Sequence, residues 1–173
     1  MQINFDASYK SSFRRENGQY RLFLTIIRDI EKTKMGLIDF IYDSGAFLTV
    51  INKERYETLG LCELPRVEHY IYGYTGRAEG YFFQIPWLRV GGQDLPYIWA
   101  FSPKSGDLYQ NLLGTNVIER FRVFQDNEND CFYFHLNKKP RFYTSDSGDS
   151  FAGGIPFSDD TVKNLFIAEN EMN

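Results

Sequence analysis

The 173-residue sequence predicts a mostly β domain carrying one or two short helices. Two observations lead there. Runs rich in β-branched and aromatic residues recur between short polar or glycine-bearing breaks, and helix signatures with marked ends are confined to brief stretches. Aromatic side chains make up 17% of the residues, enough to fill a core from the inward faces of such strands. The length suits one domain with chain to spare.

Residues 1–19 are polar and mixed, an N-terminal arm or a first weak strand. Tyr20 to Ile30 reads as a strand, Glu31 to Lys34 as a polar link, and Leu37 to Tyr42 as a second strand, so the two pair as a hairpin that delivers Asp43 to a bend. Ser44 and Gly45 break the run before Ala46 and a new apolar stretch, Thr49-Val50-Ile51. Glycine supplies the backbone freedom a tight bend needs and leaves room beside the neighbouring carboxylate. A carboxylate wedged between apolar strands is costly unless it has a partner or a job, which makes Asp43 the candidate chemical group.

Asn52 to Gly60 has an Asn cap, helix formers and a terminal glycine, the marks of a short helix. Val67 to Gly73 and Gly80 to Trp87 flank Tyr74, Thr75, Gly76 and Arg77 as a second hairpin with a mobile tip, and a third runs from Leu88–Val90 across Gly91–Asp94 to Leu95–Phe101. Between Asn111 and Phe121 a short apolar strand passes through Gly114 into a helix starting near Thr115 or Asn116. Phe124 to Asn137 forms the last hairpin, turning at Asp126–Asp130. The organisation is therefore an arm over 1–19, a domain over 20–139 and a flexible acidic tail over 140–173, whose one helical candidate is Asp159–Glu169.

The net charge of -4 resides in that tail: residues 1–139 balance 17 acids with 17 bases, and 140–173 hold six acids against Arg141 and Lys163. No basic block exists, which argues against a nucleic-acid surface. Cys62 and Cys131 have neither metal nor disulfide spacing, and a reducing cytoplasm is the expected location. His69 and His135 are too few and too scattered for a zinc site, and no glycine-rich phosphate loop precedes a lysine, so no cofactor and no metal are expected. Apolar stretches fall far short of the roughly 20 residues of a membrane span, and the N-terminus lacks a signal-peptide pattern.

Three features in order carry a family resemblance: Ile41-Tyr42-Asp43-Ser44-Gly45-Ala46 leading to Thr49-Val50-Ile51, then the glycine-tipped hairpin, then Leu112-Leu113-Gly114-Thr115-Asn116-Val117-Ile118. Over Tyr20 to Lys139 the chain resembles the retropepsin-like aspartic proteases, the single-lobe family of retroviral proteases and cellular relatives of the DNA-damage-inducible type. Asp146-Ser147-Gly148 repeats the core triplet, but no apolar run follows it and only 25 residues remain. Phe47 stands where the family commonly has an acid and Thr115 where it commonly has Arg, so both halves of an ion pair are replaced together.

The resemblance implies a closed β-barrel lobe. It makes Asp43 catalytic, with Ser44, Gly45 and Ala46 supporting its loop. It puts Gly73, Tyr74, Thr75 and Gly76 on a substrate-binding flap, and makes Leu113, Gly114 and Asn116 the second structural element. The chemistry itself requires two neighbouring carboxylates sharing one proton, one as general base on water and the other polarising the scissile carbonyl. This chain has one such loop, and four residues of strand put Asp39 roughly 13 Å from Asp43. Requirement and resemblance agree on a homodimer acting as an aspartic endopeptidase on peptide or protein substrates, with Ser44 bonding across the dimer. The alternative is a catalytically silent dimer that binds peptide, to which Phe47, Thr115 and the tail point. The tail's charge, with Phe151, Phe157 and Phe166, fits a segment folding back over the cleft or dimer edge. Deleting residues 140–173 is then expected to raise peptide turnover, and unchanged turnover with an unchanged dimer would contradict that.

Overall fold

The computed structural model describes residues 5–73, 76–106 and 110–137. Tyr74, Thr75 and the whole 140–173 tail, with its second Asp-Ser-Gly and its helical candidate, lie outside them. The strands are β1 (Lys10–Glu16), β2 (Gln19–Ile27), β3 (Met35–Tyr42), β4 (Thr49–Val50), β5 (Arg66–Gly73), β6 (Gly76–Val90), β7 (Gln93–Pro103), β8 (Leu112–Leu113), β9 (Phe121–Asp126) and β10 (Cys131–Leu136). Helix α1 spans Lys53–Thr58 and α2 spans Thr115–Ile118.

Hydrogen bonding runs β5-β6-β7-β4-β8-β3-β2-β1-β10-β9, and an added β6–β2 pairing closes β2, β3, β8, β4, β7 and β6 into a six-stranded barrel. Closure depends on β2. Its first half pairs with β1 (Leu22 opposite Phe13), and its second half pairs with β6 (Ile26 opposite Leu88) along the same edge. The β2–β3 hairpin sets Leu22 against Phe40 and Leu24 against Ile38, all four buried. Inward residues of five of the six walls, among them Ile26, Phe40, Phe83, Ile85, Leu88, Ile98 and Leu113, form the main core, while Val50 of β4 packs in a second apolar cluster.

The N-terminal stretch resolves in favour of a strand. Alternation is poor in Lys10–Glu16, but Phe13 is buried and packs on Tyr20 and Phe132 while β1 bonds to β2 and to β10. The second and third hairpins share one strand, since β6 runs unbroken from Gly76 to Val90. The pairing steps from Ile85 opposite Ile98 to Trp87 opposite Pro96, leaving out Pro86 and Tyr97. Pro86 has no N–H to leave unpaired, and Tyr97 takes the left-handed conformation (φ 46°), so the ladder kinks there without ending.

Helix α1 is capped by Asn52, whose side chain accepts from Arg55 N (2.8 Å), and the chain leaves it through Gly60 at φ 66°. The Arg28 guanidinium donates to Gly60 O (3.1 Å) and would have to shift for a Cβ there, but it is the left-handed conformation that calls for glycine at 60. No helix among the described residues is long and apolar enough to cross a membrane.

Far from Asp43, the turn after β2 is clamped to the β6–β7 turn. Asp94 accepts from Arg89 Nε (2.7 Å) and Nη2 (3.1 Å) and pairs with Lys32 (2.7 Å), whose ammonium sits 4.1 Å from the Trp87 ring centroid. The hydrogen bonds from Arg89 lower the Asp94 carboxyl to about 2, against the opposing effect of burial. Because the folded state holds the proton less tightly than the unfolded chain, this contribution is complete above about pH 4 and fades as pH falls towards 2. Asp94→Asn is expected to lower stability by about 1–2 kcal/mol at neutral pH. In denaturant unfolding at pH 7 and pH 2.5, the gap between the two proteins should shrink at the lower pH.

Candidate active site

Asp43 follows the last residue of β3, where Tyr42 stacks on Phe132 of β10 (ring centroids 4.8 Å, interplanar 21°). Burial pushes the Tyr42 phenol above its ordinary value, so the residue preceding Asp43 is a neutral, packed support. The Asp43 N–H donates to Leu113 O (3.1 Å), continuing the parallel β3–β8 pairing by one residue, and its carbonyl accepts from Ala46 N (3.2 Å). The side chain folds over the same turn: Oδ1 accepts from Gly45 N (2.9 Å) and Ala46 N (3.2 Å). Oδ2 has no hydrogen-bond partner among the described residues. Ser44 and Gly45 are exposed and Asp43 is half-buried, so one carboxylate oxygen is anchored and the other presented.

Glycine at 45 serves close approach here. Its φ is not in the left-handed region, but a Cβ would lie 3.2 Å from Asp43 Oδ1 and crowd the oxygen that the turn anchors. A side chain there would make the Asp43 carboxylate give by a few tenths of an ångström, so space rather than a left-handed backbone is what favours glycine at the bend.

The loop is gripped from behind by the second element. Thr115 N donates to Ala46 O (2.8 Å) and Asn116 N to Phe47 O (3.1 Å), while Thr115 Oγ1 also donates to Phe47 O (3.2 Å). Asn116 Oδ1 accepts both the N–H and the hydroxyl of Thr49 (2.9 Å each), and its Nδ2 donates to Trp99 O (2.8 Å). Thr49 Oγ1 in turn accepts from Gly114 N (3.2 Å). Thr49, Gly114 and Asn116 are all buried, so every one of these bonds replaces lost water. A Cβ on Gly114 would lie 2.4 Å from Leu48 C and 2.8 Å from Thr49 N, which are backbone atoms that cannot swing away.

Leu113, Gly114 and Asn116 are therefore brought against Ala46 and Thr49, in one continuous arrangement with Asp43. Thr49 and the Trp99 carbonyl were not among the candidate site residues. Thr49 had a sequence signal in its fixed spacing from Asp43, whereas Trp99 contributes only a backbone atom and had none. Asp39 is engaged elsewhere: Oδ2 accepts from Arg14 (3.1 Å) and Arg21 (3.0 Å). The departures at Phe47 and Thr115 fit one another. Phe47 packs on an apolar cluster, and the Thr115 hydroxyl bonds the Phe47 backbone in place of a charge pair.

That cluster joins the site to the β5–β6 hairpin. Leu48 and Val50 pack with Phe82 and Phe101, and Phe47, Val67, Ile71, Ala78, Trp99 and Leu112 pack around them. Gly80 makes room for it, since a Cβ there would lie 2.4 Å from Phe101 Cζ and 2.2 Å from Ser102 O. Gly73 and Gly76 pair with each other at the end of the ladder, flanking the tip. Among the described residues no cluster of three or more His, Cys, Asp or Glu is arranged to hold a metal ion.

Two substitutions measure the grip. Asn116→Ala removes the partner of a buried N–H, a buried hydroxyl and a buried carbonyl, and is expected to destabilise by about 3 kcal/mol. Gly114→Ala must displace the Leu48–Thr49 peptide and should cost about 2–3 kcal/mol. Both are read from denaturant unfolding at neutral pH, and a loss below about 0.5 kcal/mol in either would show that the loop is held by other means.

Comparison with known proteins places this arrangement. Residues 34–117, from the start of β3 through most of α2, match the aspartyl protease family. The fold is similar to that of a retropepsin-like aspartic protease from Rickettsia conorii, with a TM-score of 0.54 and 21% identity over 73% of this chain and 90% of that one. Weaker structural likeness extends to the retroviral protease-like domain of Ddi1 from Leishmania major (TM-score 0.46, 19% identity, 69% of this chain and 89% of that one). It extends also to the EIAV protease complexed with the inhibitor HBY-793 (TM-score 0.43, 17% identity, 61% and 91%). No curated protein matches the chain. The chain thus has a retropepsin-like β-barrel fold, and its residues 34–117 match the aspartyl protease family.

Proposed function

We propose that the chain is an aspartic endopeptidase whose active site forms when two copies bring their Asp43 loops together across a two-fold axis. The observation that carries this reading is the state of Asp43: Oδ1 is held by two backbone N–H groups, and Oδ2 has no partner among the described residues. Peptide hydrolysis by carboxylates alone needs two of them within a few ångströms, because like charges that close share one proton. One such loop per chain, with Asp39 committed to Arg14 and Arg21, makes the second carboxylate that of a second copy.

In the dimer the ionised Asp43 takes a proton from a water held between the pair. That water's oxygen adds to the scissile carbonyl carbon, while the protonated Asp43 donates to the carbonyl oxygen. Collapse of the tetrahedral diol breaks the C–N bond: the amine leaves with the proton of one carboxyl, a diol hydroxyl gives its proton to the other carboxylate, and the dyad returns to its singly protonated state. Ser44, exposed at the bend, would buttress the loop against its mate. Tyr74 and Thr75, between Gly73 and Gly76, would close over the peptide and exclude water. The apolar wall from Phe47 to Phe101 suits a peptide with apolar side chains next to the cleaved bond.

A second reading has its own support. Phe47 and Thr115 replace a charge pair commonly seen at these positions, and a retropepsin-like dimer could keep peptide binding while losing hydrolysis. The two separate on cleavage of an unbiased peptide library between pH 4 and 8 by wild type and Asp43→Asn, with mass in solution recorded for both. The endopeptidase reading expects a dimer in both proteins and a loss of turnover on the order of 10⁴-fold in the variant. A well-folded wild-type dimer that binds but never cuts, with residues 140–173 removed, would favour the binding reading.

A further inference from the structure

Strand β8 is only two residues long, yet it lies between β3, which leads into Asp43, and β4, which leads away from it. Leu112 pairs with Ile41 on one side and with Val50 on the other. One residue earlier, Asn111 continues both pairings. Its carbonyl accepts from Ile41 N (2.8 Å), which extends the β3 side by backbone alone. On the other side β4 has ended, and Ile51 N donates to Phe101 O of β7 (2.9 Å). The Asn111 side chain supplies the missing rung: Oδ1 accepts from Asn52 N (2.8 Å), and Nδ2 donates to Asp39 O (3.2 Å).

Ile41 and Asn52 are thus tied to one residue, and the segment between them carries Asp43. A planar amide offers a donor and an acceptor at a fixed separation, so it holds the Asp39 carbonyl and the Asn52 N–H at a set distance from each other. Asn111 is 6% exposed, so both bonds are made where water is largely excluded. Strand propensity does not ask for Asn at this position, since Asn is depleted in strands and an apolar residue would continue the Leu112-Leu113 run. Thr49, Gly114 and Asn116 fix the loop nearer its bend, whereas Asn111 fixes the spacing of its two ends.

We propose that Asn111 is a positioning residue for hydrolysis: by spacing the two ends of the Asp43 loop, it sets where the Asp43 carboxylate stands relative to that of a second copy. This rests on the endopeptidase reading of the Asp43 loop. Two carboxylates share one proton only when they are a few ångströms apart, so a small displacement at the base of the loop is felt in turnover.

The test compares the full wild-type chain with Asn111→Ala, Asn111→Asp and Leu88→Val, the last a core change beside Arg89 and its clamp. Peptide turnover is measured from pH 4 to pH 8 with the folded fraction recorded at each pH by near-ultraviolet circular dichroism, and exchange of the Asp43 and Ala46 amides is followed by NMR. Asn111→Ala should lose about 10–100-fold in kcat with KM within about twofold of wild type, and its two amides should exchange about tenfold faster. Leu88→Val should change neither. In Asn111→Asp an ionised carboxylate has no proton to give Asp39 O, whereas a protonated carboxyl offers one donor and one acceptor, as the amide does. Its kcat relative to wild type should therefore rise about tenfold as pH falls from 7 to 4. Unchanged kcat in Asn111→Ala overturns the proposal and leaves the endopeptidase reading standing. So does an Asn111→Asp ratio that is the same at every pH, which is what a space-filling residue gives, and if Asn111→Ala does not fold that ratio decides alone. Wild type that cuts no peptide overturns the endopeptidase reading and with it any part for Asn111 in hydrolysis; faster exchange in Asn111→Ala would then keep only its hold on the loop, and unchanged exchange would remove that too.

Discussion

The close approach of Gly114 to the Leu48–Thr49 peptide is the contact on which the site depends. It is possible because residue 114 has no Cβ: 2.4 Å from a backbone carbon leaves no space for one. Once the two segments touch, Thr49 Oγ1 accepts from Gly114 N, Asn116 Oδ1 takes both donors of Thr49, and Asp43 N reaches Leu113 O. The same contact lies where β8 is held between β3 and β4. The Asp43 loop so placed is held by buried bonds to a rigid wall and owes little to its own local preference.

The wall behind the loop and the wall in front of it differ in kind. Behind, Thr49, Gly114 and Asn116 form a buried polar network whose side-chain groups are bonded to one another or to backbone, which favours a single arrangement over nearby alternatives. In front, Leu48, Val50, Phe82 and Phe101 form a buried apolar cluster with Val67 and Ile71 of the hairpin packed against it. Non-directional packing tolerates movement of the hairpin better than hydrogen bonds would.

Phe47 and Thr115 meet at a junction held without charge. An acid alone or an arginine alone at this half-buried junction would leave a charge unpaired. Here one position contributes apolar surface and the other a hydroxyl that bonds a backbone carbonyl. Ionic clamping is used elsewhere, at Asp94 with Arg89 and Lys32, where it ties two turns together at the opposite end of β2 and persists into acid.

Much of this was legible in the sequence because it is local. Alternation in Leu37–Tyr42, the Asn52 cap, the glycine-tipped hairpin and the strand-to-helix step at Gly114 each depend on neighbours a few residues apart, and each is present. Lys10–Glu16 was ambiguous because its periodicity is weak: it is a strand only because β2 and β10 offer it partners on both sides. The unbroken β6 was read as two strands divided between Trp87 and Leu88, because local periodicity does not show that one strand serves two hairpins. The meeting of Asn116 with Thr49 is a product of assembly. Periodicity and turn chemistry alone determined the strands and the bend that carries Asp43. Which atoms touch across the 67 residues between Thr49 and Asn116 was decided by packing, because contact at that separation depends on how every intervening strand is stacked.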